Sequence, residues 1–379
     1  MNFDLTDAQK ALRARVSSLC ETYCTAELAT QRDREGAFPT ELHRGMSESG
    51  LLAHMLPKPW GAAGTMVDLT ILCEAFGATS DAAVNLFFTQ MAAGTLIALG
   101  GTKDQKAEHL PALARGERRF AFALTEPDAG SDAAAIRCRA RREGDAYRLN
   151  GTKWFTTMAA DADLILAVVR TNDDATAHRG ASILAVPTDS AGVRVTPMEK
   201  IAGSAIASCE VVFEGVLVPE SHRIGAENAA WNTLKLTAGL ERLVIAASCV
   251  GAGQTIVETA RAFALERAQF GKPIAGFQAI QHRLVDMATT VEAMRWMTYH
   301  AAWLVDRGRG GIQEVCMAKL FASERLSELA LDGMKILGGR AYLKRFSMER
   351  HLRESLLSLY AGGTAEIQRN VIAKTMGLR

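Results

Sequence analysis

Hydrophobic spacing changes period twice along this chain, and that change constrains the fold more than any other feature. In the first third, apolar residues recur at helical intervals, as with Ala11, Leu12, Val16 and Leu19. From about Phe120 the pattern becomes short runs rich in Val, Ile, Leu, Phe and Thr, bounded by Gly, Asp and Pro. After Pro219 helical spacing returns, and residues 231–269 are nearly free of proline. Side chains share a face about every 3.6 residues on a helix and every other residue on a strand, so the two patterns do not interchange. The fold class that follows is α+β, with an all-α segment over 1–119, a β segment over 120–230 and a second helical segment over 231–379.

Local signals place the elements. Thr6 caps a first helix, and Pro39-Thr40-Glu41-Leu42 starts another. Residues 57–64 read as a loop and 67–99 as continuous helix stopped by Gly100-Gly101; Thr102 starts a short helix ending near Pro111. Strand signals fall at 120–124, 146–149, 164–170, 182–186 and 210–213. Glu143-Gly144-Asp145 and Asn150-Gly151 are turn signals. Residues 231–269, 277–307, 313–337 and 363–376 read as helices.

Charge and cysteine content narrow the class. Lys+Arg is 43 against 42 Asp+Glu, so no global field draws the chain to nucleic acid or an anionic membrane. A local basic cluster stands at Arg137, Arg139, Arg141 and Arg142. The seven cysteines (Cys20, Cys24, Cys73, Cys138, Cys209, Cys249 and Cys316) are odd in number and scattered, which suits buried thiols in a reducing compartment. The opening Met1-Asn2-Phe3-Asp4-Leu5-Thr6-Asp7 resembles neither a secretion signal nor a transit peptide, and no apolar run reaches the roughly 20 residues of a membrane span. A cytoplasmic, non-membrane protein is expected.

Nucleophile elbows, zinc-helix motifs, P-loops and dinucleotide fingerprints are all missing, and the eight histidines form no ligand-like pair, so no metal site is expected. Three segments carry specialised chemistry. In Ala123-Leu124-Thr125-Glu126-Pro127-Asp128-Ala129-Gly130-Ser131-Asp132 a strand runs into small polar residues whose N–H and hydroxyl groups suit a polar ring; it also reads as an ordinary turn. Glu266-Arg267-Ala268-Gln269-Phe270-Gly271-Lys272-Pro273 ends a helix at Gly271, with Arg267 placed either to cap it or to pair with a phosphate. Lys335-Ile336-Leu337-Gly338-Gly339 and Ala361-Gly362-Gly363-Thr364-Ala365-Glu366-Ile367-Gln368-Arg369 pair glycines between helices, with Thr364 as N-cap of the last.

In this order and spacing, the segments resemble the acyl-CoA dehydrogenase family over essentially the whole chain. Phe3-Asp4-Leu5-Thr6 resembles its opening, and Gly101-Thr102-Lys103-Asp104-Gln105-Lys106 its G-T-x-E-Q-K. Thr125 to Asp132 matches T-E-P-x-A-G-S-D, Arg267 to Gly271 matches R-x-x-F-G, and Gly363 to Arg369 matches G-T-x-E-I-Q-R. The resemblance implies an N-terminal helical domain, a β-barrel-like middle domain and a C-terminal four-helix bundle. It also implies a homotetramer built as a dimer of dimers, FAD at a dimer interface, and electron transfer to an electron-transfer flavoprotein. By position, Phe122, Leu124, Thr125, Ser131, Phe155 and Thr157 approach the flavin. Arg267, Gln269, Phe270 and Gln278, joined by Lys335, Gly338 and Gly339, hold the pyrophosphate and adenosine end from a neighbouring subunit, and Thr364 and Glu366 lie near the cofactor. Ser131, Arg242, Gly363, Phe88 and Met91 face substrate, with Phe87 and Gln90 close by.

Desaturation of an acyl thioester needs a desolvated carboxylate to take the α-proton. Many relatives supply it from the glutamate directly before G-T in the last motif; here that position is Gly362. A smaller group, which includes the isovaleryl-CoA and long-chain enzymes, carries it on a bundle helix, and Glu241 in Gly239-Leu240-Glu241-Arg242-Leu243 falls there. The alternative is that Glu241 and Arg242 are surface charges. Phe155 stands where Trp is usual, Met158 where Asn is common and Lys335 where Gln is frequent. Phe at the first of these and the terminal Ala373-Lys374-Thr375-Met376-Gly377-Leu378-Arg379 also resemble relatives that oxidise prolyl groups on a carrier protein. Four readings stand: an acyl-CoA dehydrogenase; the same chemistry on an acyl- or peptidyl-carrier protein; a flavin oxidase or monooxygenase; and a non-catalytic protein that keeps the fold.

Overall fold

The computed structural model describes residues 4–173 and 178–378; Phe3 of the opening motif and Arg379 of the terminal one lie outside them. The helices are α1 (Asp7–Tyr23), α2 (Ala26–Glu35), α3 (Thr40–Glu48), α4 (Met66–Gly77), α5 (Asp81–Gly100) and α6 (Lys103–Ala114). Strands β1 (Phe120–Ala123), β2 (Arg139–Glu143), β3 (Ala146–Thr157), β4 (Leu164–Arg170), β5 (Ala181–Pro187), β6 (Val193–Met198), β7 (Ser208–Pro219) and β8 (Arg223–Ile224) follow. The chain then forms α7 (Ala230–Glu266), a short hairpin of β9 (Ala268–Gln269) and β10 (Lys272–Pro273), and α8 (Gln278–Asp306), α9 (Ile312–Leu337), α10 (Met348–Ser355) and α11 (Ala365–Thr375). The architecture is α+β, as the patterning predicts.

Two compact units share the chain. The first takes residues 1–31, 65–84 and 239–379, the second 32–64 and 85–238. The first unit is helical. Thr6 closes a capping box with Gln9 and buries Leu12, Val16, Leu19 and Cys20 on one stripe of α1. Helices α4 and α7 cross with their backbones nearly touching. A Cβ on Gly251 would fall 1.9 Å from the Glu74 carbonyl oxygen, and one on Gly77 would fall 2.3 Å from that of Ser248. Only glycine permits that approach.

In the second unit the sheet runs β6-β7-β3-β2-β4-β5-β8, with β1 parallel to β4. Every residue of β4 and β5 is buried except the last of each, as befits strands covered on both faces, whereas β6 alternates and never buries a residue fully. The core is a contiguous cluster including Tyr147, Leu149, Ile165, Leu184, Val211 and Phe213.

Four local expectations change. Asn150-Gly151 is not a turn; it lies inside β3 at a bulge. There Gly151 has φ +139°, a Cβ would come within 2.7 Å of the Cys138 Cα, and the Asn150 side chain accepts from the Gly215 N–H at 2.8 Å. The helix expected over 67–99 breaks into α4 and α5 because the Thr79 hydroxyl donates to the Phe76 carbonyl (2.8 Å) and the Ser80 hydroxyl accepts from the Ala83 N–H (3.3 Å). Pro111 does not end α6, since it removes one donor in the final turn and the helix runs on to Ala114. Finally, α5 and α7 are long and apolar enough by length and composition to cross a membrane, with mean hydropathies of 1.5 and 1.4. Their most apolar windows are 72% and 61% buried, so both are core helices.

Candidate active site

Glu241 sits in the first third of α7, on a stretch whose Leu243, Val244, Ala246 and Ala247 are buried in the first unit. Opposite it, the chain between residue 360 and α11 turns through two left-handed glycines, Gly362 (φ +62°) and Gly363 (φ +88°). A Cβ built on Gly362 would stand 3.3 Å from the Glu241 Cγ, 3.5 Å from its Cδ and 2.7 Å from the Ile245 Cδ1. The Glu241 carboxyl therefore fills the space into which a side chain at 362 would grow. Burial pushes this carboxyl above its ordinary value; the charges of Arg242 and Lys319 and a hydrogen bond from the Gly362 backbone pull against that rise.

The glycine turn is anchored from behind. Gln368, fully buried, donates through Nε2 to the Gly362 carbonyl (3.0 Å) and the Gly363 carbonyl (2.9 Å). Its Oε1 accepts from Arg242 Nε at 2.9 Å. Lys319, also fully buried, donates to the Gly363 carbonyl at 2.8 Å. Thr364 caps α11 by accepting from the Ile367 N–H at 3.3 Å, as expected. Glu241 and Arg242 are half-buried and engaged, not loose surface charges. Neither Lys319 nor Gln368 was singled out from sequence; the one signal was a lysine within the apolar spacing of α9.

In the second unit, the loop after β1 is braced by a buried ion pair. Lys153 Nζ donates to Glu126 Oε1 (2.7 Å) and to the Leu124 carbonyl (2.9 Å), and Glu126 also accepts from the N–H groups of Arg137 (2.6 Å) and Cys138 (2.9 Å). The Trp154 N–H donates to the Thr125 carbonyl at 2.9 Å. Phe122, Leu124, Thr125 and Thr157 are half-buried around this frame, and Ser131 is exposed. Beyond Lys153 the β3–β7 register slips, and Phe155 takes a left-handed φ of +55° that leaves it 58% exposed. A bulky residue in that conformation is strained, and such strain collects at ligand-facing positions. On α5 in the same unit, Phe87, Gln90 and Met91 are core residues while Phe88 keeps some exposure. Gln90 clamps β1 by donating to the Phe120 carbonyl (2.9 Å) and accepting its N–H (3.1 Å).

The remaining expected cofactor residues lie in the first unit. Helix α7 ends at Glu266 and not at Gly271, because residues 268–273 form the β9–β10 hairpin. At its tip Phe270 has φ +52° and is 94% exposed. Arg267 accepts from the Ile274 N–H at 2.7 Å through its carbonyl, leaving its guanidinium outside that bond. Gln269, at the hairpin, and Gln278, opening α8, are exposed, as is Glu366. Lys335 pairs with Asp332 at 3.0 Å, and a Cβ on Gly338 or Gly339 would meet nothing within 4 Å. An almost bare phenylalanine is a side chain on which a large aromatic group can pack, and the two glycines leave their backbone open to close approach.

The chain thus joins a helical unit, in which a desolvated carboxylate faces a glycine turn, to a β unit. The chain belongs to the acyl-CoA dehydrogenase family. The family models for its N-terminal, middle and C-terminal domains match residues 6–117, 121–216 and 229–377. The chain is 35% identical to the probable acyl-CoA dehydrogenase YngJ of Bacillus subtilis, over 99% of this chain and 100% of that protein. The acyl-CoA dehydrogenase structure from Geobacillus kaustophilus superposes with a TM-score of 0.95 at 28% identity, covering 100% of both chains. The prolyl acyl carrier protein oxidase AnaB superposes with a TM-score of 0.93 at 27% identity, covering 99% of this chain and 100% of that one. The family's cofactor is FAD, as expected from the motifs.

Proposed function

We propose that this protein is an FAD-dependent acyl-CoA dehydrogenase that desaturates an acyl thioester between Cα and Cβ, with Glu241 as the base. The observation that carries the reading is the Glu241 carboxyl lying against the bare Gly362. It supports a base delivered from α7 into the position that residue 362 supplies in many relatives. Burial raises the proton affinity of this carboxyl, which strengthens it as a base toward a weakly acidic C–H.

The turn supports the other half of the chemistry. The N–H and C=O of a trans peptide point opposite ways. Gln368 holds the Gly362 carbonyl, so the Gly363 N–H of that same peptide faces away from Gln368. There it would donate to the thioester carbonyl and stabilise the negative charge that develops as Glu241 takes the α-proton. When bound, FAD supplies the acceptor for the hydride lost from Cβ. Phe122, Leu124, Thr125, Ser131, Phe155 and Thr157 would hold its ring. Arg267, Gln269, Phe270, Gln278, Lys335, Gly338 and Gly339, with Thr364 and Glu366 nearby, would hold the rest in a homotetramer, which gives the exposed Phe270 a reason to be bare. Electrons would leave to an electron-transfer flavoprotein, and the seven buried cysteines, none in a disulfide, suit a cytoplasmic setting.

A second reading keeps the chemistry but moves the thioester to a carrier protein. It is favoured by Phe155 in place of the usual Trp and by the likeness to AnaB. Anaerobic titration of the FAD-loaded protein with a panel of acyl-CoAs, following flavin absorbance, tests both. Bleaching that Glu241→Gln abolishes is expected. Bleaching that survives the substitution would overturn Glu241 as base, and bleaching by carrier-bound thioesters alone would select the second reading.

A further inference from the structure

Lys319 is a buried cation without a carboxylate in ion-pair range among the described residues. Its side chain, on α9, is fully buried, and among the described residues its one hydrogen bond is to the Gly363 carbonyl at 2.8 Å. Burying an ammonium on a single neutral acceptor is costly, and a methionine would fill much the same volume without that cost. The charge therefore has work that packing alone does not explain.

Its surroundings show what that work is. Burial pushes the Lys319 ammonium below its ordinary pKa; the Cys249 thiol and then the Glu241 carboxyl favour its charged form, Arg242 opposes it, and the Cys316 thiol completes its titratable neighbours. Glu366, exposed at the start of α11, feels Lys319 only weakly, and Asp81 reaches the cluster only through Cys249. The Gly363 carbonyl takes two donors, Lys319 and Gln368, which fills both of its lone pairs. Lys319 thus grips the peptide next to the one that carries the Gly363 N–H, and its charge acts on the carboxyl that the turn faces.

Building on the reading of Glu241 as base, we propose that Lys319 is a positioning residue. It fixes the Gly362–Gly363 turn through the Gly363 carbonyl and, together with Arg242, supplies positive charge that favours the carboxylate form of Glu241. Neither role requires Lys319 to touch the substrate.

The test uses FAD-loaded Lys319→Met and Lys319→Gln, the second kept in case the first does not fold. Losing the cation destabilises the Glu241 carboxylate, so the acid limb of kcat/KM moves to higher pH. A shift of about one unit gives roughly a tenfold loss of kcat/KM below the limb. KM rises as well in Lys319→Met, which leaves one donor on the Gly363 carbonyl. A direct readout runs alongside: 13C NMR of glutamate-labelled protein, with the Glu241 signal assigned by its loss in Glu241→Gln. An upward move of that titration in a Lys319 variant supports the proposal even if turnover survives Glu241→Gln, a result that would sink the base reading alone. An unmoved Glu241 titration in a folded variant overturns the proposal, whatever happens to stability.

Discussion

Gly362 and Glu241 share one volume: the Cβ that Gly362 lacks would lie 3.5 Å from the Glu241 Cδ and 2.7 Å from the Ile245 Cδ1. A side chain at 362 and a carboxylate at 241 are thus alternatives in the same space. Gly362→Ala meets both that crowding and a left-handed φ of +62°. Strain of about 1–3 kcal/mol is expected, read as a loss of roughly tenfold or more in kcat/KM with FAD retained. The exchange Glu241→Gly with Gly362→Glu should recover part of the activity lost in Glu241→Gly alone. Steady-state kinetics on the three variants decides, and a double variant no better than Glu241→Gly would show that the two positions do not deliver a carboxylate to one place.

The elevated Glu241 pKa has a stability signature. Burial raises it above the ordinary 4.5. The folded protein therefore binds this proton more tightly than the unfolded chain, and stability falls as pH rises from the unfolded to the folded pKa. Below that window both states are protonated and the carboxyl is neutral to stability; above it the buried charge costs stability. Glu241→Gln should raise the melting temperature at neutral pH, and the gain should vanish toward pH 4. A glutamine variant no more stable than wild type at neutral pH would contradict the sign.

Sequence alone pointed to Glu241 but not to the residues packed around it. Glu241 was readable because its neighbours Leu243 and Val244 mark a buried stretch and because Gly362 left the usual position empty. Lys319 and Gln368 were not, since a lysine 78 residues from Glu241 and a glutamine inside a helical motif reveal neither burial nor partner until helices pack. Helices were legible where caps and glycines punctuated them, as at Thr6, Thr102 and Gly100-Gly101. The errors fell where tertiary pairing overrode local chemistry. Asn150-Gly151 has the composition of a turn, yet β2 and β7 pair on either side of it and make it a bulge. Residues 268–273 continue the polarity of a helix end, but Phe270 and Gly271 both adopt positive φ and close a hairpin.

The Lys153–Glu126 pair should be worth more than its surface counterparts. Lys153 has no exposed side-chain area and Glu126 only 8%, and burial depresses the Lys153 pKa against the pull of Glu126. Lys153→Met leaves the Glu126 carboxylate with two backbone N–H donors and no counter-charge. Breaking one side of such a pair costs about 3–5 kcal/mol. It also frees the Leu124 carbonyl, so the loop from Leu124 to Ser131 should loosen. Urea unfolding and the FAD:protein absorbance ratio should fall together, and a variant that keeps wild-type stability would show that water reaches the pair.

Acid sensitivity should trace to two histidines that stay neutral in the fold. Burial, with the adjacent Arg350 charge, holds His351 down to about 3, and burial beside Arg119 holds His43 down to about 4, against an ordinary 6.5. Both are nearly inaccessible, and the His43 Nε2 has no hydrogen-bond partner among the described residues. Below pH 6.5 the unfolded chain takes up protons that the folded one refuses, so stability present at neutral pH is lost progressively as pH falls toward the folded values. Each histidine contributes a limiting slope of about 1.4 kcal/mol per pH unit between its two pKa values. Denaturant titrations from neutral pH down to about pH 4 should show His351→Gln reducing the pH dependence by up to one proton, and the pair with His43→Gln by up to two. Slopes identical to wild type would mean that both imidazoles become protonated within the folded protein, with water or a rearranged acid reaching them before the chain opens.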